Sequence, residues 1–265
     1  MVYIKKVIRT FVIIYIAMLL FLYFGQRGLL YHPTPDIEVP PTYGLPNFAE
    51  VALTTADNIT IKAWYAKPAN AKKAVIYFIG NSDSLKNYTD FFTQLTAADI
   101  AVLGVCYRGY CGGQGEPTEA GLYKDADAAL KFLRNDFADA DITVIGRSLG
   151  SGVAVNLAHK HKLDGLVLIS PYTSIPDVAE LIYWYMPIQL LVKDRFESLK
   201  KIAAVSADIL ILHGDADELI PVSQGIELNN KATSKHALKI YKGESHNDLN
   251  FKLVGNDVVE FVGKQ

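Results

Sequence analysis

A chain of 265 residues is long enough for one α/β domain with an appendage, or two small domains, and for a sizeable core. With 50% hydrophobic and 20% charged residues it is too apolar for a disordered chain and slightly too apolar for an ordinary soluble one. Its 26 basic and 28 acidic residues leave no electrostatic footprint for a phosphate backbone, so nucleic acid is excluded as a partner, and two cysteines suffice neither for a disulfide framework nor for a zinc site.

The apolar excess lies at the front. Lys5, Lys6 and Val7-Ile8-Arg9-Thr10 lead into an uninterrupted apolar run over residues 11–24. Counted from Val7, it is just long enough to span a bilayer as a helix of about 17–20 residues. Lys5, Lys6 and Arg9 precede the run and only Arg27 closely follows it. That asymmetry keeps the N-terminus cytoplasmic and sends the rest to the non-cytoplasmic side, the periplasm in a bacterium. A cleavable signal peptide would need small residues at its cut site, and Leu22-Tyr23-Phe24-Gly25-Gln26-Arg27 offers only Gly25. Residues 1–25 therefore read as an uncleaved anchor, with the lipid bilayer as partner. Next come Tyr31-His32-Pro33-Thr34-Pro35, Pro40-Pro41 and Pro46, which suit neither a helix nor an inner strand. Residues 26–49 read as a proline-rich tether and 50–265 as the folded domain.

Within that domain, residues 50–55 and 59–65 alternate with period two around Asp57-Asn58, the pattern of an antiparallel hairpin. The runs at 74–79, 100–106, 142–145, 166–169, 209–212 and 238–241 are short, continuous and rich in Val, Ile and Leu, as expected of parallel strands buried on both faces. Leu122, Ala126, Ala129, Leu130, Leu133 and Phe137 repeat at helical spacing, with weaker faces at 91–95, 153–157 and 258–261. The expected fold class is α/β: an eight-strand, mostly parallel sheet with helices on both faces and its chemistry at the strand carboxyl ends.

Gly146-Arg147-Ser148-Leu149-Gly150 follows the fifth strand and opens a helix. Such a sharp strand-to-helix turn holds a serine hydroxyl above the sheet. A serine needs a base, and the base an orienting carboxylate. His213-Gly214-Asp215-Ala216-Asp217 follows the seventh strand and Gly243-Glu244-Ser245-His246 the eighth, so His246 is the expected base and Asp217 the expected acid. Asp215, the competitor, is expected to cap the turn, and His213 to be a satisfied loop histidine. Oxyanion donors are expected from the Leu149 backbone N–H and from that of Asn81, in the turn that Gly80 permits after the third strand.

Tyr107-Arg108-Gly109-Tyr110, Gly115-Glu116-Pro117-Thr118-Glu119 with Gly121-Leu122, Ser170-Pro171-Tyr172-Thr173-Ser174 and His246-Asn247-Asp248 accompany this triad order. Together they resemble the membrane-anchored α/β-hydrolase domain proteins of the bud-emergence type, from about Arg27 to the C-terminus. The resemblance implies an α/β-hydrolase fold and a cofactor-independent serine esterase or thioesterase with Ser148, Asp217 and His246 as its triad, and with Arg108 tying loops together over the active site. The sequence departs from that family where Ile79 replaces a His, where Cys111 and Gly113 replace Gly and Ser, and where Glu244-Ser245 puts a carboxylate beside His246.

Residues 175–196 fall where such folds insert a lid. Tyr183, Trp184, Tyr185, Met186 and Ile188 could line an acyl pocket, lie against the bilayer interface, or belong to a helix packed on the core, and Tyr183, Trp184 and Met186 are the expected substrate-binding residues. Cys106 and Cys111 lie five positions apart in a compartment that permits a disulfide; both are expected free, because Cys106 ends a buried strand. The reading is a membrane-anchored serine hydrolase acting on an acyl ester or thioester substrate. A peptidase or amidase with the same triad is the alternative, and a catalytically silent scaffold the rival from another class.

Overall fold

The computed structural model describes residues 2–137 and 140–265. Eight strands form one sheet: β1 (Ala49–Thr54), β2 (Thr60–Ala66), β3 (Lys73–Phe78), β4 (Ile100–Val105), β5 (Asp141–Arg147), β6 (Gly165–Ile169), β7 (Asp208–Gly214) and β8 (His236–Tyr241). Their spatial order is β1-β2-β4-β3-β5-β6-β7-β8, with β2 antiparallel to both neighbours and every other pair parallel. Five of the six continuous apolar runs became strands buried along almost their whole length, as β4 and β6 show, but the run at 238–241 became the edge strand β8, which is exposed over most of its residues because only β7 flanks it. The alternating run at 50–55 became the half-exposed edge strand β1, joined to β2 through a turn with Asn58 at positive φ.

The helices are α1 (Val2–Leu30), α2 (Thr89–Ala97), α3 (Glu119–Asp136), α4 (Leu149–Lys160), α5 (Ile175–Ile182), α6 (Ile188–Leu191), α7 (Ser198–Ile202), α8 (Val222–Lys231) and α9 (Phe251–Gly263). α2 packs with α9, while α3, α4, α7 and α8 touch in series, which gives the sheet its helical covers. The connection from β4 to β5 crosses back over β3, so the chain changes direction beside β3 and β5. Phe78 of β3 pairs with Gly146 of β5, and the loops that follow both strands open side by side. A crevice at such a switch point is where an α/β sheet places its ligand.

α1 is long and apolar enough to cross a membrane, and none of its described residues is buried. It runs to Leu30, five residues past the expected end of the anchor. The segment after it does not behave as a slack tether. Tyr31, Ile37, Leu45 and Phe48 are buried in the domain core, Phe48 stacks on Phe92 at 5.9 Å, and Tyr43 stacks on Trp64 at 5.6 Å. The prolines exclude regular structure there, but single apolar side chains between them still supply buried contact area.

The cysteine expectation is overturned: Cys106 and Cys111 form a disulfide. The turn closed by the Tyr110 N–H on the Tyr107 carbonyl (2.9 Å) folds the chain back, with Cys111 at positive φ. The two Cα atoms come within 6.0 Å of each other, inside the range a disulfide spans. Burial of Cys106 was no obstacle, because Cys111 is buried beside it.

Candidate active site

Ser148 sits between β5 and α4 at φ 49° and ψ −118°, a conformation that costs about 1–3 kcal/mol in a non-glycine residue and persists only when the surroundings enforce it. The flanking glycines answer to space rather than to φ. A Cβ on Gly146 would lie 2.2 Å from the Gly150 carbonyl oxygen, and one on Gly150 would lie 2.3 Å from the Phe78 carbonyl oxygen. The Ser148 N–H donates to the Ile169 carbonyl (2.9 Å), which ties the turn to β6.

The structure brings the three expected residues together. His246 Nε2 lies 3.0 Å from Ser148 Oγ, and His246 Nδ1 lies 2.7 Å from Asp217 Oδ2. With its proton on Nδ1, the imidazole donates to the carboxylate and leaves Nε2 to accept from the serine hydroxyl. All three side chains are buried. Asp217 Oδ1 accepts the N–H groups of Leu219 (3.0 Å) and Ile220 (2.7 Å). Burial works to raise the Asp217 carboxyl, but hydrogen bonds with His213 and His246 and from the Ile220 N–H outweigh it and hold it well below the usual carboxylate range. Asp215 accepts the Gly243 N–H (2.6 Å), which ties its loop to the loop after β8 rather than capping its own turn.

Two further residues at the site escaped the sequence reading. His213 is fully buried, with Nε2 2.9 Å from the Ile220 carbonyl and 3.3 Å from the same Asp217 oxygen that faces His246. Its place immediately before Gly214-Asp215 was visible, but only the loop's return path puts it behind Asp217. Arg147, the variable residue of the serine motif, donates to Asp83 (2.8 Å), to the Tyr88 hydroxyl (3.0 Å) and to the His246 carbonyl (2.9 Å). It braces the histidine loop against the loop after β3.

Leu149 and Asn81 line the same cavity as Ser148, and among the described residues neither backbone N–H donates to another group. Space at Gly80 is tight rather than closed: a Cβ there would lie 3.2 Å from Arg147 Nη1 and 3.5 Å from the Ser148 Cβ. The positive φ of this turn belongs to Ser82 instead. The Asn81 side chain points the other way, donating to the Leu30 carbonyl (2.7 Å) and accepting from the His32 N–H (2.9 Å) and the Tyr110 hydroxyl (2.8 Å). Ile79, where the resembled family has His, offers its carbonyl to the Tyr107 hydroxyl (2.9 Å). Glu244 turns from His246 to accept the Asn250 N–H (3.0 Å). Arg108 binds Asp57 and Asp125, which ties the β1–β2 turn to α3 rather than closing over the site.

The cavity measures about 490 Å³, within the ordinary range for small-molecule sites. Ile175, Val178, Ala179, Ile182, Ile188, Leu191 and Val192 of the lid, with Leu219 and Ile220, make it mostly apolar. Of the expected substrate-binding residues, Tyr183 lines it, but Trp184 and Met186 do not. α5 ends at Ile182, so the chain turns at the aromatic run: Trp184 projects 80% exposed, and Met186 is buried without lining the cavity. The inner face is supplied instead by the aliphatic positions of α5, with α1 contributing Leu22, Gln26, Leu29 and Leu30.

Residues 69–200 match the Hydrolase_4 family, described as serine aminopeptidase, S33. The chain is 31% identical over 236 residues to the uncharacterized protein Rv2307c of Mycobacterium tuberculosis, covering 88% of this chain and 84% of that one. It is 29% identical over 188 residues to alpha/beta hydrolase domain-containing protein 17B of Homo sapiens, covering 68% and 62%. The fold resembles the Pyrococcus furiosus esterase Pf2001 with a TM-score of 0.71 at 18% identity, over 88% of this chain and 97% of that one. A sheet of this order, a serine forced into a strained turn at its switch point, and sequence kinship over most of the chain agree: the chain belongs to the α/β-hydrolase superfamily.

Proposed function

We propose that the protein is a membrane-anchored serine hydrolase that cleaves carboxylic esters or thioesters through an acyl-Ser148 intermediate. The observation that carries the reading is the hydrogen-bonded line Ser148–His246–Asp217 at the edge of an apolar cavity. His246 Nε2 takes the hydroxyl proton as Ser148 Oγ attacks the acyl carbon, then hands that proton to the departing alcohol or thiol. Water next repeats the sequence on the acyl-serine, releasing the acid and restoring the hydroxyl. Asp217, kept ionised by its donors, orients the imidazole and stabilises its charged form. The Leu149 and Asn81 N–H groups hold the negative oxygen of the tetrahedral intermediate.

An aminopeptidase reading, suggested by the description of the matched family, needs a carboxylate to receive the substrate's ammonium group. Among the described residues no Asp or Glu lines the cavity, which favours a neutral acyl group. The charge asymmetry around α1 supports a domain on the non-cytoplasmic side. The disulfide supports the same placement, since such bonds persist in oxidising compartments. The test is fluorophosphonate labelling with a hydrolysis panel crossing acyl length with ester, thioester and amide. Ser148→Ala is expected to lose both labelling and turnover in a folded protein, and preferential cleavage of the amides would overturn the ester reading.

A further inference from the structure

α1 and the lid are fastened to each other. Gln26 donates to the Leu191 carbonyl (3.1 Å) and accepts the Lys193 N–H (2.7 Å), while Arg27 pairs with Asp194 (2.9 Å). The Lys193 ammonium lies 3.8 Å from the centroid of the Tyr23 ring, and the Tyr15 hydroxyl donates to the Tyr185 carbonyl (3.3 Å). The lid segment therefore runs beside α1 from Arg27 back to Tyr15. On the helix, Leu22, Gln26, Leu29 and Leu30 fall at spacings of four, seven and eight, one face, and that face walls the cavity holding Ser148.

A span of about 20 residues counted from Val7 ends near Gln26. Tyr15 lies eleven residues earlier, about 17 Å down the axis at 1.5 Å per residue. That is close to one leaflet, half of a hydrocarbon core of about 30 Å. At this level the lid presents Trp184 (80% exposed), next to Tyr185, whereas Leu190 (86% exposed), whose neighbour Leu191 is bonded to Gln26, stands with Arg27 and Lys193 toward the headgroup end. Apolar groups at leaflet depth and cations at its rim are the pattern of a segment seated in a bilayer interface.

We propose that the α5–α6 lid dips into the outer leaflet alongside α1, and that the cavity draws the substrate's acyl chain directly from that leaflet through the seam between them. Leu22 and Leu29 of α1 then set the chain length that fits. The second statement rests on the hydrolase reading; the first does not. The experiment uses the full chain in phosphatidylcholine nanodiscs with and without lipids brominated on the acyl chain. The protein has two tryptophans, and Trp64 is fully buried, so the difference between wild type and Trp184→Phe isolates Trp184. A blue-shifted Trp184 component quenched by the brominated lipid is expected; a water-like, unquenched component overturns the proposal.

In the same discs, Leu22→Trp should lower the ratio of long-chain to two-carbon kcat/KM by about tenfold, the worth of about two lost methylene sites. An unchanged ratio in a folded variant removes α1 from the specificity wall. Fluorophosphonate labelling of the wild type separates the failures. Labelling with an unquenched Trp184 defeats the leaflet placement alone, and a quenched Trp184 without labelling defeats the hydrolase reading alone.

Discussion

The two sides of the cavity are built by different physics. On the strand side, Ser148, His246 and Asp217 are held by directional bonds: Arg147 to the His246 carbonyl, Leu219 and Ile220 to Asp217, and Ile169 to the Ser148 amide. On the lid side, Val178, Ile182, Ile188 and Leu191 line the cavity opposite α1, and the lid is fastened to α1 by a few hydrogen bonds at Gln26 and Arg27. Directional bonds fix atoms to within fractions of an ångström, as a reacting serine requires. Apolar surface tolerates sliding and repacking, which suits a wall that must accept a flexible chain. Changes on the strand side should therefore cost rate or stability outright, and changes on the lid side should alter selectivity.

The largest effect is expected at the acid. Asp217→Asn should lower kcat by about three to four orders of magnitude, because the imidazole loses its orientation and its countercharge. Asp215→Asn should leave kcat within tenfold, since Asp215 only ties its loop to Gly243 on the loop after β8, and a larger loss there would reassign the acid. The depressed Asp217 carboxyl also carries a pH signature. Its stabilisation is complete above the unfolded carboxylate pKa of about 3.9 and is lost as pH falls toward the lower folded value. The stability gap between wild type and Asp217→Asn, read by urea unfolding, should shrink below about pH 4.

Arg147→Met comes next. It leaves Asp83 buried without its cation, so unfolding stability should fall by about 3–5 kcal/mol. Since the same guanidinium braces the His246 carbonyl, kcat of the folded fraction should fall as well. A stable variant with full activity would show that the strand side is less tightly framed than its bonds imply.

His213→Phe tests whether the buried histidine supports the acid. Loss of a donor beside Asp217 is worth about 1 kcal/mol, or roughly fivefold to tenfold in kcat, provided the hydrogen bond counts in the reacting state. KM should not move, and that separates it from a lid substitution.

On the lid side, kcat/KM should rise from acetyl toward medium acyl chains by about tenfold for every two carbons that fit, at about 0.8 kcal/mol per methylene. Ile182→Ala should flatten that slope, while Met186→Ala should leave it unchanged because Met186 is not among the residues lining the cavity. A flat series from the two-carbon ester onward would make the wall part of the core and favour a small-acyl esterase. The smallest effect on turnover should follow reduction of Cys106–Cys111, which lies outside the cavity lining and should lower stability to urea while leaving the acyl-length slope unchanged. A loop this short restrains the unfolded chain by only about 2 kcal/mol.

What the sequence revealed divides along the same line. The eight strands, the serine turn and the order of acid and base are local matters: apolar runs, glycines between strand and helix, and polar loops after strands. Those signals survive without knowledge of the path between elements. The lid is different, because whether Ile182 or Trp184 faces inward depends on where α5 stops, and the aromatic run begins at that stop. The disulfide depended on how the Tyr107–Tyr110 turn folds back, and the role of His213 on a loop returning beneath it. The packing of residues 31–48 was hidden because Tyr31, Ile37, Leu45 and Phe48 occur singly between prolines, with no period to betray a buried face.

That packed segment has a kinetic consequence. A domain on a slack linker sweeps a hemisphere and samples targets by swinging. Here the chain leaves α1 at Leu30, buries Tyr31 at once and passes into the core with little slack. With α1 in a bilayer, the serine would ride at a nearly constant height and tilt, and encounters would be governed by lateral diffusion. Velocity would then follow the mole fraction of substrate in the membrane plane, and adding inert lipid at fixed total substrate should slow the enzyme although nothing in bulk solution has changed.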